Sequence, residues 1–77
     1  MTDITPGLYR HFRSHNLYRV LLVGVRDEEE GEAGEPRVVY IPLYTSPVPA
    51  WSRRLSVFAA EVEHEGRRVR RFERVRD

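Results

Sequence analysis

Tyr9, His11, Tyr40, Tyr44, Trp51, Arg53 and Arg71 are the side chains of this sequence that could do chemistry together, since they combine flat π faces with an imidazole and guanidinium groups. Such a set suits stacking with anion capture: a planar, negatively charged ligand lies on Trp51 or a tyrosine while Arg53 or Arg71 holds its charge. A nucleotide, a stretch of single-stranded nucleic acid or a carboxylate-bearing peptide has that form. Trp51 and Arg53 stand two apart, so an extended segment puts both on one face. The competing role for the same residues is packing, because in a small domain aromatics fill the core and arginine stems lie across them. Tyr18 and Phe12 follow a core period and are assigned to packing.

Catalytic and metal patterns are sparse. There is no Lys for a phosphate loop or a Schiff base, no Gly-x-Ser-x-Gly, and the five glycines are scattered singly. The absence of cysteine removes disulfides, thiolate metal sites and thiol catalysis. Ser14 and His15 could join Asp27 only if adjacent turn residues pointed the same way. His11 and His15 have the i, i+4 spacing of a helical metal pair, but Pro6-Gly7 before them and the turn residues Ser14-His15-Asn16 oppose a helix there. No metal and no cofactor is expected.

Seventy-seven residues make one small domain. Thirteen positive charges, all Arg, against twelve acids give a formal +1, short of the net basicity of a dedicated nucleic-acid binder. The charge is segregated. Asp27 to Glu35 holds six acids and no base, whereas Arg67 to Arg76 holds six Arg against Glu73 alone. The basic segment could clamp phosphates; pairing in cis with the acidic one is the favoured expectation. No apolar run approaches a membrane span and no charged-apolar-small leader is present, so a cytoplasmic chain without a membrane partner is expected.

These residues need elements to position them. Residues 1–5 are polar and are expected to form a disordered tail, with a single domain over 6–75. Leu8 to Arg13 alternates with Tyr9, His11 and Arg13 on one side, which predicts a strand. Leu17 to Val25 is apolar on both faces and predicts a central strand buried twice over. Residues 27–36 are acidic, carry two glycines and no apolar period, and predict a solvated loop. Arg37 to Ile41 is a third strand ended by Pro42. Beyond Arg53 two patterns compete. Leu55, Phe58, Ala59 and Val62 fit a helix to His64 closed by Gly66; a helical turn near Leu55 followed by a hairpin of Ala60–His64 and Arg67–Phe72 about Glu65-Gly66 fits as well.

Pro6-Gly7-Leu8-Tyr9-Arg10-His11-Phe12, Tyr18-Arg19-Val20, Val39-Tyr40, Leu43-Tyr44, Trp51-Ser52-Arg53, Leu55 with Phe58, and Gly66 before Arg71-Phe72 together resemble the bacterial family catalogued as domain of unknown function 1653. The resemblance runs from about Pro6 to Glu73. It implies a small stand-alone bacterial domain and brings no activity, substrate or cofactor with it. The acids Asp27-Glu28-Glu29-Glu30 stand where relatives tend to carry a His and a Thr. Relatives commonly have Pro where this chain has Arg54 and Arg70, which breaks helices and so implies the hairpin and an extended tail.

The expected architecture is all-β: a five-stranded, partly open SH3-like barrel with at most one helical turn. The expected function is a non-catalytic binding module acting through Tyr9, His11, Tyr44, Trp51, Arg53 and Arg71, with a nucleotide or nucleic acid as the first ligand. A peptide-binding protein-interaction module is the second expectation and a small hydrolase a distant third.

Overall fold

The computed structural model describes residues 3–76. Strands β1 (Gly7–His11), β2 (Leu17–Val25), β3 (Arg37–Pro42) and β4 (Trp51–Arg54) run as an antiparallel meander. A single helical turn, α1 (Leu55–Phe58), leads to the hairpin β5 (Glu61–His64) and β6 (Arg67–Arg70), and β7 (Phe72–Val75) returns to pair with β1. The larger sheet has the order β4-β3-β2-β1-β7, and the hairpin is a second, two-stranded sheet. β4 and β7 do not pair with each other, so the larger sheet is not closed into a barrel. Among the described residues no helix is long and apolar enough to cross a membrane.

The fold is all-β as expected, with seven strands in place of five. Two differences account for the count. Trp51–Arg54 pairs with β3 as an edge strand. The expected strand Arg67–Phe72 breaks at Arg71, whose N–H goes to the carbonyl of Ala60 and whose own carbonyl takes the N–H of Phe12. The hairpin turn Glu65-Gly66 has positive φ at both residues, 52° and 77°, the backbone of the two-residue turns that match strand twist.

The core lies on the inner face of the large sheet. Ile4, Tyr9, Val20, Val38, Tyr40, Phe58 and Phe72 are buried together. Its centre is Phe58 stacked on Phe72, with centroids 4.1 Å apart and planes within 3°. Tyr9 meets Phe58 edge-on at 5.5 Å, and Tyr40 contacts both phenylalanines. The helical turn exists to deliver Phe58: Leu55 donates its N–H to the carbonyl of Pro36 and the next turn swings Phe58 inward.

Two expectations are corrected here. Leu17–Val25 is central in the sheet but not buried twice over, since Leu21 and Leu22 are 44% and 56% exposed. An antiparallel sheet of one layer packs on one face and meets water on the other, and register shifts after Val20 and after Val23 break the alternation. The polar start is also not frayed over its whole length. Ile4 is in the core, Asp3 pairs with Arg70 at 2.8 Å, and Thr5 accepts the Tyr9 hydroxyl proton at 2.9 Å on its carbonyl oxygen. Met1 and Thr2 of the expected tail lie outside the described residues.

The acidic 27–36 segment does loop out, with a short 3-10 turn at Gly31–Ala33. Arg26 binds the carbonyls of Glu32 and Gly34, and the Ser56 hydroxyl donates to Glu35 at 2.6 Å. Among the described residues no ion pair joins this loop to Arg67–Arg76, contrary to the expected cis pairing. Arg68 pairs instead with Glu61, diagonally across the hairpin, and Arg70 with Asp3. Arg68 and Arg70 thus find their acids in the hairpin and at the start of the chain, not in the loop.

Candidate functional site

At one end of the inner face the sheet leaves a cleft of about 320 Å³. Strand pairing assembles it. Tyr40 faces Trp51 across β3 and β4, Val38 faces Arg53, and His11 faces Phe72 across β1 and β7. Trp51 and Arg53 therefore lie on one face, as their spacing predicts. The turn after β1 adds Ser14 and Asn16, and the segment after β3 adds Tyr44.

Tyrosines form one wall. The hydroxyls of Tyr18 and Tyr44 are 3.1 Å apart, and the Tyr18 ring meets Tyr40, Tyr44 and Phe72 edge-on at 5.4 to 5.7 Å. Burial, then the bond to Tyr44, pushes the Tyr18 hydroxyl up to about 12. It is a neutral hydrogen-bonding group throughout the physiological range. Trp51 and Tyr44, 43% and 39% exposed, stand at the mouth. Large exposed aromatics beside a concave, polar-lined surface have π faces available to a ligand.

Arg53 supplies the charge. Its Nε–H donates to the Tyr40 hydroxyl at 3.3 Å, and its guanidinium lies 5.4 Å from the centre of the Phe72 ring. Among the described residues no carboxylate pairs with it and no acceptor engages its two Nη nitrogens. No Asp or Glu lines the cleft, so Arg53 is its uncompensated permanent cation.

The surroundings of His11 favour its neutral form. Burial first, and then the charges of Arg53, Arg71 and Arg13, lower its pKa below the ordinary value. Its Nδ1 accepts the backbone N–H of Arg13 at 3.2 Å and of Ser14 at 3.5 Å. A neutral ring whose Nδ1 accepts carries its proton on Nε2. The histidine therefore offers a donor N–H and no spare lone pair, which removes it as a general base.

Of the expected site residues the cleft unites His11, Tyr40, Tyr44, Trp51 and Arg53. Tyr9 is elsewhere: it is 2% exposed and its hydroxyl bonds to Thr5. Arg71 does not line the cleft; its Nε–H donates to the Val57 carbonyl at 3.2 Å, and its part is electrostatic, on His11. Tyr18, assigned to packing by its period, is half a wall. Facing Pro42 across the β2–β3 pair sets it beside Tyr40 and Tyr44, a relation visible only once register is known. Ser14, Asn16, Ser52 and Phe72 complete the lining.

A second cleft of similar volume, between β1 and the hairpin, is lined by Arg10, Arg68 and Arg70 but also by Glu61 and Glu73. Arg68 pairs with Glu61 at 3.2 Å, Arg10 with Glu73 at 3.9 Å, and Arg70 with Asp3 outside the cleft at 2.8 Å, so each of its guanidiniums has a carboxylate partner. Among the described residues no three His, Asp or Glu side chains converge as a metal site would need.

A family model described as "Protein of unknown function (DUF1653)" matches residues 7–74. Among solved structures, the crystal structure of a DUF1653 protein from Bordetella bronchiseptica is similar at a TM-score of 0.81 and 31% identity, over 95% of this chain and 88% of that one. No curated protein matches the chain.

Proposed function

The chain belongs to the DUF1653 family, and from the cleft of this member we propose a non-catalytic binding module for a nucleotide or nucleic acid. One observation carries the proposal: exposed Trp51 and Tyr44 flank a cleft whose permanent charge is the unpaired Arg53 guanidinium, with no acid among its lining residues. A ligand that complements it presents a flat ring to stack and an anion to hold. Nucleotides do both. Binding without catalysis is favoured by His11, whose lone pair is engaged by its own turn.

The strand order supports reading the scaffold as a partly open barrel of the SH3-like kind. Four strands meander, one helical turn follows, and the last strand returns beside the first. Such barrels place their binding residues on loops and strand ends, which is where Ser14, Asn16, Tyr44 and Trp51 lie.

The test uses the chain's single tryptophan. Trp51 fluorescence and backbone amide shifts are followed against nucleotides, short single-stranded RNA and DNA, and acidic peptides. Quenching by nucleotides or strands, with shifts grouped at Ser14, Asn16, Tyr44 and Arg53, is the expected result. Shifts with peptides alone would transfer the cleft to peptide recognition.

A further inference from the structure

Resting on the reading of this cleft as a nucleotide site, we infer that it takes one nucleotide unit carrying one phosphate group, held by Arg53 with the base on Trp51. Size sets the first limit. At about 320 Å³ the cleft is at the lower end of the roughly 300–1,000 Å³ of small-molecule sites, room for one nucleotide unit, with any further unit of a strand lying outside it.

Charge sets the second. With its Nε–H on Tyr40, Arg53 keeps a planar pair of Nη donors, and that fork matches two oxygens of one phosphate. His11 contributes a neutral Nε2–H beside it. No other guanidinium lines the cleft. Arg71 is turned to the Val57 carbonyl, and Arg10, Arg68 and Arg70 line the separate cleft, each paired with a carboxylate. A second and third phosphate would find no cation here. The P-loop kind of polyphosphate site uses a glycine-rich loop with Lys and a metal ion, and the sequence has no Lys.

The unit could be a free mononucleotide or the phosphorylated end of a strand; the phosphate chemistry is the same. Both are tested by titrating the wild-type protein, with Trp51 fluorescence as readout, in low salt without divalent metal. The probes are adenosine, AMP, ADP, ATP, and a single-stranded tetranucleotide with and without a 5′-phosphate. AMP is expected to bind at least about tenfold tighter than adenosine, the worth of a charge-assisted bidentate contact. ADP and ATP are expected within about threefold of AMP. A 5′-phosphorylated tetranucleotide tighter than AMP assigns the unit to a strand end; one no tighter assigns it to the free nucleotide. Equal binding of adenosine and AMP would overturn the inference and leave the stacking site standing. ATP tenfold tighter than AMP would overturn the single-phosphate limit. No response to any probe would remove the nucleotide reading itself.

Discussion

Tyr18 and Tyr44, twenty-six residues apart in the chain, bring their hydroxyl oxygens to 3.1 Å at the wall of the cleft. The contact ties the end of β3 to the start of β2, where the N–H of Leu43 also reaches the carbonyl of Leu17 at 2.9 Å. It holds the segment carrying Tyr44 against the sheet, so a ligand meets a formed wall and not a mobile loop.

The first prediction follows from that pair. In an alkaline titration monitored by tyrosinate absorbance, one tyrosine should ionise near the value of about 12 to which Tyr18 is pushed. Tyr44→Phe should bring that step down, because the neighbouring hydroxyl that opposes ionisation is gone. A folded-state value above the unfolded 10 means stability is present below pH 10 and is lost as pH rises towards 12. An unchanged late step in Tyr44→Phe would show that burial and Tyr40 set it without Tyr44.

Acid acts through His11 in the opposite sense. Its lowered pKa means the unfolded chain takes up the proton first, so this contribution to stability is full above about pH 6.5 and falls as pH drops towards the folded value. The slope it adds is at most about 1.4 kcal/mol per pH unit. In His11→Asn, whose side-chain oxygen can still accept the turn N–H groups, urea midpoints between pH 7 and 5 should lose that share of their decline. An identical decline would place the acid sensitivity elsewhere.

The stacked pair at the core sets the third prediction. Phe58 is fully buried against Phe72, and Phe→Ala at such a site costs about 3–5 kcal/mol. A domain of this length has on the order of 4–12 kcal/mol in total. Phe58→Ala should therefore lose at least about a quarter of the domain's stability, read as a lowered urea midpoint by near-ultraviolet circular dichroism, and an unchanged midpoint would show that the stack is not the centre of the core. Ile4→Ala should also destabilise, by about 2–5 kcal/mol as for a core residue, whereas a change within about 0.5 kcal/mol would mark residues 3–5 as loosely attached.

How much of this was legible in the sequence follows from what each signal encodes. The i, i+2 spacing of Trp51 and Arg53 is local and reads correctly, whereas the Glu65-Gly66 turn competes locally with a helix closed by Gly66, and only the family resemblance favours the hairpin. Alternation splits β1 into two faces and puts Tyr9 with His11, but it does not say where along the sheet the core ends and the cleft begins. That boundary depends on which residues face the Phe58–Phe72 stack, a long-range matter. Tyr9 and Tyr18 face each other across β1 and β2, yet one is core and the other wall. Leu21 and Leu22 read as buried because an apolar run carries no record of how many layers the fold has. Ile4 was hidden among polar neighbours ahead of Pro6.

Gly7 provides a fourth test. Its φ is 147°, and a Cβ there would lie 2.6 Å from Nη2 of Arg74, whose Nη1 donates to the Thr5 hydroxyl at 2.7 Å and whose guanidinium lies over Tyr9. Gly7→Ala must either displace that side chain or bend the strand, with backbone strain on the order of 1–3 kcal/mol. If Arg74→Ala in the same chain recovers most of the loss, the clash is with the side chain; no recovery assigns the cost to φ.

The last prediction separates a specific anion contact from general basicity. Arg53 and Arg54 are adjacent, but alternation sends them to opposite faces. Val38, buried, faces Arg53, while Arg54 faces Arg37 and is exposed. Each substitution to Ala removes the same unit charge from the same strand. Arg53→Ala should cost about 1–2 kcal/mol of stability through the lost contacts with Phe72 and Tyr40, and should lower affinity for a phosphate-bearing ligand at least about tenfold. Arg54→Ala should leave stability within about 0.5 kcal/mol and affinity within about twofold, with Trp51 fluorescence as the common readout. Equal losses in the two variants would mean the ligand senses only the field of the sheet. A loss of stability at Arg53 with affinity intact would make Arg53 a packing residue, with its guanidinium serving Tyr40 and Phe72 alone.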